Sequence, residues 1–84
     1  MARLEKILVR MRTNPRDWSI DDLKSLARRY EIDWRQPGTS HVTFTALGQV
    51  PLTVPAQKPM KPVYIKKFLA LLDAMGVTDD EVDN

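Results

Sequence analysis

The apolar residues of this chain change their spacing twice, and the two changes divide it into helical, alternating and helical stretches. Ile20, Leu23, Leu26, Ala27 and Tyr30 share one face at helical spacing, with Lys24, Arg28 and Arg29 off it. From Glu31 the period drops to two. Ile32, Trp34 and Gln36 alternate with Glu31, Asp33 and Arg35, and Val42 and Phe44 alternate with His41, Thr43 and Thr45. Val50, Leu52 and Val54 form the apolar face of a third alternating run. Beyond Pro62 the helical spacing returns in Tyr64, Phe68, Leu71, Leu72 and Met75, broadened by Ile65 and Leu69. An alternating segment wound as helix would scatter its apolar side chains around the axis, so the pattern restricts the chain to α+β architectures.

Local signals place the boundaries. Arg3 to Arg12 reads as a short helix with Leu4, Ile7, Leu8 and Met11 on one face, ended by Asn14-Pro15. Ser19 can cap the next helix, with Asp22 three residues on as an acidic capping-box partner. Trp18 and Leu23 then occupy the hydrophobic-staple positions, and the helix runs to about Tyr30. Pro37-Gly38 predicts a type II turn, with proline fixing φ at the second position and glycine accepting positive φ at the third. Leu47-Gly48-Gln49 can also turn. Pro51 assigns the strand over Val50–Val54 to a sheet edge or to its own start. Pro55 to Pro62 is a stiff loop carrying Lys58 and Lys61, Pro62 opens the last helix at its first position, and Gly76 suits the residue after its C-cap. The expected fold is a three-stranded antiparallel sheet with helices on one face. The order α-β-β-β-α, preceded by an N-terminal helix, resembles a double-stranded-RNA-binding-like sandwich.

At 84 residues the chain is one domain with a modest core. Residues 1–77 form that domain, with 1–17 as an N-terminal extension, and 78–84 is expected to be a mobile acidic tail. There is no cysteine, which excludes disulfides and thiolate metal sites. Charges interrupt Met1 to Met11 too often for a signal peptide. No run approaches the roughly 18–20 apolar residues of a membrane span, so a soluble cytoplasmic protein with no membrane partner is expected. Net charge is +2, but all 13 lysines and arginines precede residue 68. Residues 1–72 carry +7 and residues 73–84 carry −5. A basic body suits a polyanion such as RNA; the simpler alternative is an ordinary solvated surface.

His41 is the only histidine, and alternation places it opposite Val42 and Phe44, off the core, just after a turn. An ordinary imidazole titrates near pH ~6.5 and can take and return a proton under physiological conditions. Alone, such a residue is usually no more than a surface histidine. Its neighbours add to it: Gly38 has no side chain to hinder a phosphate, and Thr39 and Ser40 bring hydroxyls and backbone N–H groups to the same turn. From spacing alone the simpler reading is that these three only form the turn. Lys58 and Lys61 are candidate phosphate contacts, or solvated loop charges. The acids are scattered, so no metal or cofactor is expected.

The segment Gly38 to Phe44, GTSHVTF, resembles the Gly-Ser/Thr-Ser-His hairpin of the HicA toxins. VPAQKPMKPVYIKKFLALLDAM, from Val54 to Met75, is similar to that family's third-strand-to-last-helix segment, and the order of elements from about Trp18 to Met75 fits as well. The resemblance implies an mRNA interferase, a ribosome-independent endoribonuclease neutralised by a HicB-type antitoxin in a hetero-oligomer, with His41 as catalytic residue. Gly38, Thr39, Ser40, Lys58 and Lys61 would then contact RNA. Many family members carry a second histidine shortly after the third strand, where this chain has Gln57, and the stretch Met1–Asp17 lies outside the compact family unit. The alternatives are a non-catalytic RNA-binding module of the same fold and a small protein-interaction domain using its open sheet face.

Overall fold

The computed structural model describes residues 3–38 and 40–77, with side chains described from residue 6 onward, Thr39 excepted. Three helices and three strands follow in the order α1 (Arg3–Thr13), α2 (Ile20–Arg29), β1 (Asp33–Arg35), β2 (His41–Thr45), β3 (Leu52–Pro55) and α3 (Pro62–Ala74). The strands form one antiparallel sheet in the order β1-β2-β3. Residues 78–84, assigned from sequence to an acidic tail, and Thr39 lie outside the described residues.

The α2 boundaries follow from side-chain chemistry. The Ser19 N–H donates to the Asp22 carboxylate (2.8 Å) while the Asp22 N–H donates to Ser19 Oγ (3.4 Å), so two of the helix's orphan donors are satisfied reciprocally. At the other end the Ile32 N–H reaches the Ala27 carbonyl (2.8 Å) and the Glu31 N–H reaches the Arg28 carbonyl (3.4 Å). This is a Schellman closure with Glu31, at φ 61°, in the left-handed position. Helix α3 ends the same way: Val77 donates to Leu72 (2.9 Å) and Gly76 to Asp73 (3.0 Å), with Gly76 at φ 89°. Pro62 stands at the first turn of α3, where its missing N–H costs nothing.

One core joins all six elements. Val42, Phe44 and Val54 from the sheet are fully buried, as are Leu23 and Leu26 of α2 and Ile65, Phe68 and Leu72 of α3. Trp34, Phe44 and Phe68 continue from sheet to helix, with Phe44 and Phe68 edge to face at 5.1 Å between centroids. Helix α1 belongs to this core: Leu8 and Met11 are wholly buried, and Arg12 pairs with Asp73 of α3 (2.6 Å). The N-terminal extension is therefore part of the fold.

Two boundaries differ from expectation. Gly38 does not adopt positive φ, so Pro37-Gly38 is not a type II turn. The connection runs over residues 36–40, longer than a two-residue turn. The positive-φ glycine sits in the other hairpin, where the Gln49 N–H closes on the Ala46 carbonyl (3.0 Å) with Gly48 at φ 79°. Strand β3 begins at Leu52, not Val50, and Val50 is 84% exposed. Pro51 brings no donor to a ladder and restricts the residue before it. Strand β3 is an edge strand, bracketed by Pro51 and Pro55.

Candidate functional site

His41 is the first residue of β2 and lies opposite Pro55 of β3. The residue before it is held in place: the Ala56 N–H donates to the Ser40 carbonyl at 2.8 Å. Because Val42 and Phe44 point into the core, His41 and Thr43 project from the other face of the sheet, and His41 is exposed. That face is largely polar, with Pro55 beside His41 as the apolar exception among the strand residues. Register places Arg35, Thr43 and Thr53 in one row across the three strands and Asp33 beside Thr45 in the next. The hydroxyls of Thr43 and Thr53 are 2.8 Å apart, an interaction possible only between side chains sharing a face. The helices thus cover one side of the sheet, and the side carrying His41 is open.

The loop after β3 is fixed to the start of α2. Its Gln57 carbonyl accepts from the Ile20 N–H (3.3 Å), its Met60 N–H donates to the Trp18 carbonyl (2.7 Å), and Met60 is buried. Lys58 Nζ lies 2.6 Å from Asp21 Oδ2 in the first turn of α2. The hydrogen bond to Lys58, and then its charge, holds the Asp21 carboxyl below the ordinary aspartate value; the same contacts raise the Lys58 ammonium.

The structure brings Gly38, Ser40 and His41 to one hairpin, with Gly38 and Ser40 exposed. A Cβ at Gly38 would meet nothing within 4 Å, so sterics do not demand glycine there. Lys58 is engaged by Asp21. Lys61 precedes α3 and lines a shallow hollow of about 300 Å³ with Arg16, Asp17, Pro59, Met60 and Pro62, whose walls do not include His41. Gln57 is exposed.

Arg35 is the residue that sequence spacing did not single out. It projects from the open face, directly opposite Thr43 and diagonal to His41. Alternation showed that Arg35 faces away from Trp34, but only the β1–β2 register shows that it shares a face with the histidine. Three other arginines are engaged with aromatic rings: Arg10 lies over Trp18, Arg28 over Trp34 and Arg29 over Tyr30, at 5.4–5.7 Å. Among the described residues no three histidine or carboxylate side chains converge on a point where a metal could bind. No helix among them is long and apolar enough to cross a membrane.

No protein-family model matches the chain, and neither a curated protein nor a solved structure does.

Proposed function

We propose that this protein is an RNA-cleaving toxin of the HicA kind, built on a double-stranded-RNA-binding-like sandwich and acting in the cytoplasm. The observation that carries the reading is the placement of His41: the sole histidine stands exposed at the mouth of a hairpin, on the open polar face of the sheet, directly after Ser40. In the proposed reaction neutral His41 takes the proton of a ribose 2′-hydroxyl. The 2′-oxygen forms a bond to the adjacent phosphorus as the bond from phosphorus to the 5′-oxygen breaks. The leaving 5′-oxygen is protonated by the imidazolium or by water. The products are a 2′,3′-cyclic phosphate and a 5′-hydroxyl, and no oxidant, metal or cofactor takes part in the step.

General base catalysis of this kind contributes about 10²–10⁴-fold. Ser40, Thr39 and the backbone N–H groups of the hairpin, with Gly38, supply donors for the nonbridging oxygens. Preorganised donors contribute roughly 3–4 kcal/mol each where charge develops. Lys61 is free to meet a more distant phosphate; Lys58 can do so only by leaving Asp21. With Gln57 where many HicA toxins have a second histidine, His41 serves without a histidine partner, and a slow enzyme results. A HicB-type antitoxin that neutralises it would cover the His41 face and present acids to the basic body.

The test is an RNA cleavage assay of wild type against His41→Ala, with analysis of product ends. Wild type should leave cyclic phosphate and 5′-hydroxyl ends, and His41→Ala should leave RNA uncut while still binding it. Equal cleavage by both proteins, with contaminating nuclease excluded, would remove His41 from the chemistry. RNA bound but cut by neither would make this a binding module.

A further inference from the structure

We infer that Arg35 is a second catalytic residue of this site, its guanidinium gripping the nonbridging oxygens of the phosphate on which His41 acts. The inference rests on the nuclease reading above and adds the group that neutralises the phosphate. Three observations converge on it. Arg35 is paired in register with Thr43, two residues along β2 from His41 and on the same face, so Arg35 and His41 are diagonal cross-strand neighbours. Such neighbours are about 7–8 Å apart, within reach of a long side chain. Arg35 is also the only lysine or arginine within a strand among the described residues; every other described cation is on a helix or in a loop. Its guanidinium, finally, is exposed and forms no ion pair, hydrogen bond or ring contact among the described residues, in contrast to Lys58, Arg12, Arg10 and Arg28.

The chemistry requires such a group. When the 2′-oxygen attacks, the phosphate passes from one negative charge toward two, concentrated on its nonbridging oxygens. Hairpin N–H groups and hydroxyls are neutral donors. A guanidinium brings a full charge and a planar fork of donors that matches two of those oxygens at once, a geometry lysine cannot reproduce. Asp33 shares the face but lies beside Thr45, on the far side of Arg35 from His41, and makes no ion pair with it. The guanidinium is thus left uncompensated next to the proposed base.

The experiment uses the full chain and a short single-stranded oligoribonucleotide spanning a site that wild type cuts, under single-turnover conditions. Arg35→Ala should slow cleavage by about 10²–10³-fold, the usual cost of removing one preorganised oxyanion donor. Arg35→Lys should recover only a minor part of this. Binding of the same oligonucleotide made uncleavable by a 2′-deoxy nucleotide should weaken far less, and the slope of log affinity against log salt should fall by about 0.7, one phosphate contact's share on a single strand. Sulfur in place of a nonbridging oxygen should slow wild type and add little to the defect of Arg35→Ala, a response that a merely structural role would not produce. Melting curves of the variants should superimpose on wild type. If Arg35→Ala cuts within a few-fold of wild type, or keeps the full sulfur effect, Arg35 is not catalytic. If His41→Ala is then still inactive, only the Arg35 assignment falls. If wild type itself does not cut, or His41→Ala cuts like wild type, the nuclease reading falls and this inference with it.

Discussion

Truncating Leu8 to alanine tests whether the N-terminal helix is structural. Leu8 is wholly buried, on a helix that contacts both α2 and α3. Removing a buried leucine beyond Cβ costs about 2–5 kcal/mol, the lost transfer energy plus the cavity left behind. The whole domain has little to lose: at roughly 0.05–0.15 kcal/mol per residue, its stability is about 4–13 kcal/mol. Each kcal/mol moves the melting midpoint of a domain this size by about 4–8 °C, so a loss near 3 kcal/mol lowers it by about 12–24 °C. Leu8→Ala together with Met11→Ala, the other wholly buried side chain among the described ones of α1, should leave little folded protein. The assay is urea unfolding followed by the fluorescence of Trp18 and Trp34, which report the two ends of α2. If the proposed nuclease reading holds, the fraction of Leu8→Ala that stays folded should cut RNA as wild type does, because His41 belongs to the sheet's other face. A loss below about 1 kcal/mol in Leu8→Ala would contradict the cavity reasoning. Cooperative folding of residues 18–84 alone at the full-length midpoint would show α1 to be dispensable.

Glu31→Gly should raise stability by up to about 1 kcal/mol, since Glu31 holds the left-handed position that Gly76 fills after α3 and a side chain there is strained; a lower melting midpoint would refute this. The Asp21–Lys58 contact should hold the loop over a wide but bounded pH window. Asp21 is depressed below 3.8, so its contribution is complete above that value and is lost as pH falls through its folded-state pKa. Lys58 is raised above 10.5, so its contribution is complete below that value and is lost as pH rises through its folded-state pKa. Amide exchange in residues 56–61 should quicken at both extremes, and Asp21→Asn should reproduce the acid effect at neutral pH; unchanged exchange in that variant would mean that backbone contacts alone hold the loop.

Elements set by local chemistry were legible in the sequence. The Ser19/Asp22 capping box, the Pro62 start and Gly76 stop of α3, and the Val42/Phe44 alternation are all properties of neighbouring residues, and the fold keeps each of them. What depends on distant partners was not legible. Nothing near Glu31 in sequence announces a left-handed residue, because the closure is enforced by Ile32 entering the core. Lys58 looked like a free loop cation until the fold brought Asp21 within 2.6 Å. The same holds for the site. His41's outward orientation followed from period two alone, whereas the neighbourhood of Arg35 required a strand register, and a five-residue connection from 36 to 40 leaves that register undetermined by spacing.

The two prolines flanking β3 have a consequence for how copies of this chain meet in a crowded cell. The Ala56 N–H points inward to Ser40, so in the alternating ladder positions 52, 54 and 56 turn their donors toward β2, and 51, 53 and 55 turn theirs outward. Two of those three outward positions are proline, leaving Thr53 as the single N–H on that rim. A colliding strand finds one handhold where zipping up needs a row of them, which makes the rim a poor seed for runaway stacking.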